Sequence, residues 1–245
     1  MKTIAIAQQK GGTGKTTTAH AIGAGLKAQG KRVLFVDLDP QSNLSYIMGA
    51  RMDGKTILDV LKGEATAAEA TQTTASAAII PGTPFLAGAD AMFAGKVYAL
   101  AEALKPIARK YDFCVIDTPP ALGILTVSAL TAADTVIIPC LPDVLSIQAL
   151  GQIAETIRGL QKKYNPGLKI SGLLLTRYTP RQILTRDIEN AFAKAAEQIG
   201  TRLFKTRIRE TVSIREAQAM GEDIFTYSPK SAGATDYNQL LKEIF

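Results

Sequence analysis

The chain is poor in histidine and cysteine, with one histidine, His20, and two cysteines, Cys114 and Cys140, in 245 residues. The cysteines lack C-x-x-C spacing and histidine neighbours, which argues against a zinc site. No serine or cysteine nucleophile stands in a recognisable constellation with a base, and His20 falls on a predicted helix face, where we assign it no catalytic role. No apolar stretch approaches the roughly 18 residues of a membrane span, and the first predicted strand begins too early to leave room for a signal peptide. We therefore expect a protein of the reducing cytoplasm.

A glycine-rich segment with two lysines is the most informative feature that is present. It reads K-G-G-T-G-K-T-T and follows the apolar run Ile4–Ala7, where a buried strand would end and a helix begin. Such a turn lets successive backbone N–H groups close around a phosphate at a helix N-terminus. Lys15 would reach the β- and γ-phosphates, and the Thr16 hydroxyl would bind Mg²⁺. The segment predicts a nucleoside triphosphate site formed by Lys10, Gly11, Gly12, Thr13, Gly14, Lys15, Thr16 and Thr17.

This segment departs from the usual pattern G-x-x-x-x-G-K-[ST], because Gln9 occupies the position of the first glycine. A second lysine, Lys10, stands at the front of the loop instead. An ordinary surface turn is the simpler interpretation, but such a turn has no need of three glycines and two threonines at these spacings after a strand.

Short apolar runs alternate with helix-length amphipathic segments along the whole chain. This alternation predicts an α/β fold: a single doubly wound, mostly parallel sheet with helices on both faces, of the P-loop NTPase type, forming one domain over residues 1–245. Ligands in such folds lie beyond the carboxyl ends of the strands, where the motifs of this chain begin. The predicted strands are Thr3–Ala7, Arg32–Asp37, Ala78–Pro81, Phe113–Asp117, Thr135–Pro139, Ile170–Thr176 and Asp223–Tyr227. The predicted helices are Thr16–Gln29, Ala91–Lys110, Ile147–Lys163, Ile183–Ile199 and Ala234–Ile244.

Two further apolar runs end in aspartate. Asp37 and Asp39 follow one run, and the alternation of side chains along a strand puts both on the same side, near the phosphate loop if this strand neighbours the first. An acid there can hold the magnesium shell or orient the attacking water. Asp117 ends the second run before the rigid turn Thr118–Pro120, which is the form of a Walker B acid that binds Mg²⁺ through water. A plain turn after a strand is the alternative for each, but their spacing after a phosphate loop favours the functional interpretation.

The net charge of +6 is unevenly distributed. The segment from Arg158 to Arg215 contains thirteen basic and four acidic residues, a net charge of +9, which leaves −3 for the rest of the chain. An ordinary solvated surface is the simpler interpretation of these basic residues, but the asymmetry of charge favours a polyanionic partner.

Together these segments resemble the ParA/MinD family of deviant Walker ATPases. The resemblance covers nearly the whole chain and is carried by Gln8–Thr17, Asp37–Gln41 and Ile116–Pro120. Within the family it is most similar to ParA-type (Soj-like) partition ATPases, through Asp39–Asn43 and Ser228–Ser231. The resemblance implies an ATP hydrolase that is weak alone and is stimulated by a ParB-like centromere-binding partner.

The resemblance also implies a homodimer that sandwiches ATP between its subunits. Lys10 would cross the interface to the phosphates held by the other subunit, where developing charge needs an additional cation. Lys10, Lys15 and Asp39 are thus the implied catalytic residues, with Asp39 positioning the water. Asp37 is the implied partner acid at the nucleotide. The implied ligands of Mg²⁺ are Thr16, Asp39 and Asp117.

A ParA-type ATP dimer binds DNA without sequence preference, so the resemblance implies partition of a plasmid or chromosome from a cytoplasmic, nucleoid-associated position. Non-specific DNA binding arises mostly from lysine and arginine, and the basic C-terminal half is the expected surface. One departure stands here: the family's second arginine in this region is Ser213, and Arg215 lies two places on. The expected DNA contacts are Lys205, Arg207, Arg209, Arg215 and Lys230. The expected adenine contacts are Arg177, Ile208 and Arg209.

Other functions within the family remain as alternatives. A membrane-cycling ATPase of the MinD kind needs a basic amphipathic C-terminal helix, whereas residues 236–245 contain two acids and one lysine. An electron-transfer reductase needs cysteines in loops to bind a cluster, whereas Cys114 lies inside a predicted strand. A regulatory relative, for example in cellulose secretion or conjugation, stays open.

Overall fold

The computed structural model describes residues 1–179 and 185–245, without the side chains of Thr185 and Arg186. Of the features predicted above, the basic residue Arg181 and the first two residues of the helix Ile183–Ile199 lie outside the described residues.

Strands and helices alternate along the described chain. The strands are β1 Lys2–Ile6, β2 Val33–Asp37, β3 Gln72–Thr73, β4 Ala78–Ile80, β5 Phe113–Asp117, β6 Thr135–Cys140, β7 Lys169–Tyr178 and β8 Leu203–Arg209. The helices are α1 Lys15–Ala28, α2 Asn43–Ile47, α3 Ile57–Lys62, α4 Ala67–Ala70, α5 Ala89–Met92, α6 Ala99–Leu104, α7 Ile124–Ala132, α8 Val144–Lys163, α9 Thr185–Gln198, α10 Val212–Ala219, α11 Ile224–Tyr227 and α12 Ala232–Ile244. Two 3₁₀ segments cover Pro84–Gly88 and Lys105–Lys110.

The eight described strands form one sheet in the order β3-β4-β2-β5-β1-β6-β7-β8. Only the short β3 runs antiparallel to its neighbour, β4, so the predicted, mostly parallel sheet is confirmed. Successive side chains point to opposite faces: Ile4 and Ile6 join the core beneath α1 and α12, whereas Ala5 joins the core beneath α7 and α8. Close packing places α1 on the first of these faces, since a Cβ at Gly23 would lie 2.0 Å from the ring of Phe35.

Near the C-terminus one predicted element is wrong and one strand was not predicted. Asp223–Tyr227 is not a strand but the helix α11, because the Asp223 carboxylate caps its N-terminus by accepting hydrogen bonds from the N–H groups of Phe225 and Thr226. The eighth strand, β8, was not predicted. It lies at the edge of the sheet, so its buried and more exposed residues alternate, whereas the prediction relied on continuous apolar runs.

The predicted helix Ala91–Lys110 is also wrong in its extent. The chain forms α5, then a turn in which Gly95 has a φ of 79°, and then α6. Pro106 follows in a 3₁₀ segment, where a proline near the start removes no required N–H. Two short helices replace one long helix because these two residues interrupt the helical pattern.

In residues 1–179 and 185–245 no helix combines the length and the apolar character needed to cross a membrane.

Candidate active site

The three predicted motifs meet at the carboxyl ends of the strands. β5 lies between β1 and β2, and Asp117 at its end is in register with Ile6 of β1 and with Asp37 of β2. The condition set for placing Asp37 and Asp39 near the loop, that β2 neighbours β1, is therefore not met, since β2 borders β5. Asp117, and not Asp37, therefore ends the strand that borders β1.

The phosphate loop connects β1 to α1 with a backbone that glycine permits. Gly12 and Gly14 have φ values of 73° and 79°, a region that side chains with a Cβ rarely adopt. Gly14 is the N-cap of α1 and supplies no side-chain cap. The first N–H groups of α1 thus form the kind of helix N-terminus that attracts an anion.

Lys15 is buried at the start of α1, with 7% of its surface exposed. Its ammonium group donates to the carbonyl oxygen of Lys10 at 3.4 Å, across the loop. Burial lowers the pKa of Lys15, and the charges of Asp117 and Asp39 partly offset that effect. Lys15 is therefore a cation enclosed by the loop and flanked by two acids.

Asp117 is fully buried, and within the described residues neither carboxylate oxygen has a partner in hydrogen-bond geometry. Burial raises its pKa well above the usual range, and the charge of Asp37 raises it further, while the neighbouring Thr16 hydroxyl and the Lys15 charge act in the opposite direction. A buried carboxylate without a donor, next to a hydroxyl, matches the oxygen ligands that Mg²⁺ prefers.

In the described part of the chain, no group of three or more His, Cys, Asp or Glu side chains is arranged to hold a metal ion alone. Mg²⁺ commonly takes one or two carboxylates and completes its shell with water and substrate phosphates. Thr16 and Asp117 fit that pattern.

Asp37 and Asp39 occupy different positions, although both are buried. The Asp37 carboxylate accepts hydrogen bonds from the N–H and hydroxyl of Ser45 at 2.9 and 2.7 Å and from the N–H of Asp39 at 3.1 Å. Burial raises the pKa of Asp37 to about 6 despite these bonds. Asp39 lies further along, where its carboxylate accepts from the N–H of Gln41 at 2.9 Å. Asp37 therefore holds the turn that presents Asp39.

A cavity of about 510 Å³ lies over the phosphate loop. Of the predicted residues it is lined by Gly11, Gly12, Gly14, Lys15, Thr16, Thr17, Asp39, Arg177, Ile208, Arg209 and Arg215. Lys10, Thr13, Asp37 and Asp117 do not line it. Six of the eight predicted phosphate-loop residues and all three predicted adenine contacts thus share one cavity. A larger groove of about 760 Å³, between α3 and α6, contains none of the predicted site residues.

Some lining residues were not predicted. Thr176 ends the buried part of β7, and its hydroxyl donates to the carbonyl of Thr13 at 2.8 Å. Gln218 of α10 donates to the hydroxyl of Thr17 at 2.8 Å, and Tyr237 of α12 also lines the cavity. The position of Thr176 at a strand end was a usable signal, since ligands bind there. The other two depend on the docking of C-terminal helices, which no local pattern reveals.

Lys10 is turned away from the cavity of its own chain. Its ammonium group lies 2.7 Å from Asp143, the residue before α8, and 3.3 Å from the hydroxyl of Ser146. The two lysines of the loop therefore differ: Lys15 lines the cavity and Lys10 is bound to the start of α8.

The predicted adenine contacts at the cavity mouth carry ion pairs. Arg177, a non-glycine residue with a φ of 50°, pairs with Glu210 at 2.9 Å. Arg209 pairs with Asp236 of α12 at 2.6 Å. Both guanidinium groups are thereby held by acids of the same chain.

The predicted DNA contacts do not form one uniform group. Arg207 pairs with Glu189 at 3.0 Å and is largely covered. Lys205, Arg215 and Lys230 are exposed, and none of them forms an ion pair within residues 1–179 and 187–245. The exposed cations are the better candidates for a polyanion.

Comparison with known proteins identifies relatives over nearly the full length. A family model described as an AAA domain matches residues 1–170. The chain is 37% identical over 250 residues to the sporulation initiation inhibitor protein Soj of Bacillus subtilis, covering 99% of this chain and 98% of that protein. It is 36% identical over 244 residues to the chromosome-partitioning ATPase Soj of Thermus thermophilus, covering 100% of this chain and 95% of that protein.

Solved structures of similar proteins hold adenine nucleotides. Cobyrinic acid a,c-diamide synthase of Mycobacterium smegmatis with bound ADP and magnesium matches with a TM-score of 0.85 and 35% identity, over 99% of this chain and 93% of that chain. The complex of ATP with a substituted Cyanothece McdA, in which one aspartate is replaced by alanine, matches with a TM-score of 0.89 and 28% identity, over 100% of this chain and 96% of that chain.

Proposed function

Because the chain belongs to the ParA/MinD family of ATPases, we propose that it is a ParA-type partition ATPase. It binds ATP with Mg²⁺, closes into an ATP-dependent homodimer and binds DNA without sequence preference. A ParB-like centromere-binding partner stimulates its otherwise weak hydrolysis. The observation that carries the proposal is the different placement of the two loop lysines, with Lys15 inside the nucleotide cavity and Lys10 outside it.

The phosphate end of the cavity supports ATP binding by this chain's own groups. The start of α1 offers N–H groups to the β-phosphate, and the buried ammonium of Lys15 offers positive charge to the β- and γ-phosphates. Thr16 and Asp117 would hold Mg²⁺, which would supply positive charge to the phosphates. Asp39 lines the same cavity and is the group that orients the attacking water.

The position of Lys10 supports a dimeric active state. Lys10 does not line the cavity of its own chain, so its cation is not committed to that nucleotide. In a dimer with the two cavities facing each other, Lys10 of one chain reaches the nucleotide held by the other. The transition state at each nucleotide then gains a cation that a single chain does not supply. Hydrolysis removes the γ-phosphate that both subunits contact and so releases the dimer.

The exposed cations Lys205, Arg215 and Lys230 support binding to DNA. Arg215 lies on α10 and also lines the nucleotide cavity, so the polyanion surface and the nucleotide share a helix. Binding through such cations is independent of sequence and weakens as salt rises.

A membrane-cycling role of the MinD kind is the alternative. It needs an amphipathic helix whose apolar face can enter lipid. In α12 the apolar residues Tyr237, Leu240 and Leu241 are buried in the core that α1 and α12 form against the sheet. That apolar face is already occupied by the protein, and for this reason we favour DNA as the surface ligand.

The proposal is tested by retention of the protein on double-stranded DNA of unrelated sequences with ATP, with ADP and without nucleotide, each at low and raised salt. We expect retention only with ATP, equal for all sequences and lost at raised salt. Retention on anionic lipid vesicles but not on DNA would support the membrane alternative. Equal retention with ADP and ATP would contradict the proposed switch.

A further inference from the structure

The hydroxyl of Thr176, at the end of the buried part of β7, connects this strand to the phosphate loop. It lies 2.8 Å from the carbonyl oxygen of Thr13 and 3.2 Å from that of Cys140. Thr176 itself is 2% exposed. A hydroxyl has one proton to donate, and the shorter contact makes the Thr13 carbonyl its main acceptor.

The Thr13 carbonyl belongs to the peptide group that supplies the N–H of Gly14. No peptide bond in the described chain is cis, so the carbonyl and the N–H of this planar group point in opposite directions. A hydrogen bond that holds the Thr13 carbonyl toward β7 therefore turns the Gly14 N–H away from β7. Gly14 has a φ of 79°. Because glycine adopts other backbone conformations at little cost, this residue alone does not fix the orientation of the peptide.

Within residues 1–179 and 185–245, the loop itself offers little else to fix this peptide. The hydroxyl of Thr13 reaches back within the loop to the carbonyl of Lys10 at 3.4 Å, a long contact between two loop residues. Thr176, by contrast, stands on a strand, and strands hold a functional group more precisely than loops do.

We infer that Thr176 is a positioning residue for the nucleotide phosphates: its hydroxyl fixes the Thr13–Gly14 peptide so that the Gly14 N–H donates to the β-phosphate. This inference rests on the proposed binding of ATP. Thr176 acts through the loop backbone and does not itself contact the phosphate. The hydroxyl of Thr176 therefore strengthens the binding of any nucleoside di- or triphosphate. It does not strengthen the binding of a nucleoside without phosphates.

The test compares Thr176→Val with Thr176→Ser. Valine keeps the shape of threonine but has no hydroxyl, and serine keeps the hydroxyl. Calorimetric titration of ADP should show an affinity about 5- to 30-fold weaker for Thr176→Val and close to that of the unchanged protein for Thr176→Ser. Adenosine, followed by displacement of a fluorescent nucleotide, should bind all three proteins equally.

The other outcomes distinguish a failure of the proposed function from a failure of the inference about Thr176. If the unchanged protein does not bind ADP, the proposed function fails. If it binds ADP and Thr176→Val binds equally well, the inference about Thr176 fails while the function stands. Equal losses in both variants, or an equal loss for adenosine, would show that packing and not the hydroxyl matters, and would also overturn it. Thermal unfolding of each variant identifies any that fails to fold. If Thr176→Val fails to fold, the affinities of Thr176→Ser and of the unchanged protein decide, and we expect them to be equal.

Discussion

The ammonium group of Lys10 lies 2.7 and 2.9 Å from the two carboxylate oxygens of Asp143 on the same chain. The same carboxylate caps α8 by accepting from the N–H of Ser146 at 2.7 Å. Burial alone would raise the pKa of Asp143, but the hydrogen bonds from Lys10 and Ser146 outweigh it and hold the pKa below the usual range. If Lys10 serves the partner's nucleotide as proposed, it must first leave this carboxylate, and the ion pair then competes with dimer formation.

Asp143→Asn should therefore strengthen ATP-dependent dimerisation. The ion pair is partly exposed, with 26% of Lys10 and 41% of Asp143 accessible, so its contribution is about 0.5–1 kcal/mol. Because both chains of the homodimer break this pair, the two contributions add to about 1–2 kcal/mol. We expect the protein concentration for half-dimerisation to fall about 5- to 30-fold, as measured by sedimentation with ATP. Asparagine remains a good N-cap, and the helix should therefore stay intact.

Two further variants control this experiment. Ser146→Ala removes the weaker 3.3 Å contact with Lys10 but leaves the Lys10–Asp143 ion pair in place, so it should shift dimerisation less. Lys10→Ala should abolish the ATP dimer while leaving nucleotide binding, because Lys15 still lines the cavity. A Lys10→Ala variant that dimerises normally would refute the proposed action of this lysine across the interface.

Asp39→Ala should trap the ATP dimer. Asp39 lines the cavity, and loss of the group that orients water should lower turnover by about 100-fold or more. Phosphate release measures the loss, and gel filtration after ATP addition measures how long the dimer persists. Asp53→Ala, an exposed acid outside the cavity, is the control. Unchanged turnover in Asp39→Ala would reject its assigned role.

The sequence was sufficient to predict the mostly parallel sheet and the glycine-rich turn between β1 and α1, because both depend on local patterns. Buried parallel strands read as apolar runs, and the loop between β1 and α1 requires its glycines in order. The strand-end position of Asp117 followed from the same reasoning, and the register with Ile6 places it beside β1.

The sequence was insufficient where the answer depends on tertiary contacts. The edge strand β8 has an alternating pattern that continuous apolar runs do not reveal. The bond between Asp37 and Ser45 and the pairing of Lys10 with Asp143 join residues whose proximity only the folded chain creates. For the same reason the ion pair of Arg207 with Glu189 could not be predicted from the basic composition of this half.

His20 should make the protein less stable as the pH falls. It is buried, and burial lowers its pKa from 6.5 to about 4, with the charge of Asp223 acting in the opposite direction. Between these values the unfolded chain takes up a proton that the folded chain does not, so the free energy of unfolding decreases as the pH falls. The loss should reach about 2 kcal/mol between pH 7.5 and pH 5.

Urea unfolding of the unchanged protein and of His20→Leu at both pH values isolates this contribution. Leucine is neutral and similar in size, and the Nε2 atom that it removes has no hydrogen-bond partner in the described chain. The variant should lack that part of the pH dependence. Equal losses in both proteins would assign the effect to other groups.

Arg215 should contribute to DNA binding more than Arg207. Arg215 is exposed and has no ion pair in the described chain, whereas Arg207 is bound to Glu189 at 3.0 Å and also donates to the carbonyl of Phe204. A cation that contacts a DNA phosphate releases a counterion, whereas one already neutralised by an acid releases little. For the ATP-bound protein, Arg215→Ala should reduce the slope of log affinity against log salt by about 1.

Arg207→Ala should change that slope less, and Lys62→Ala is the control for total charge. Lys62 is exposed on α3, whose apolar residues pack in a different core cluster from those of α10. Each variant removes one positive charge, so a general charge effect would alter all three slopes equally. A larger change for Arg207→Ala than for Arg215→Ala would mean that DNA displaces Glu189 and that the binding surface follows β8 and not α10.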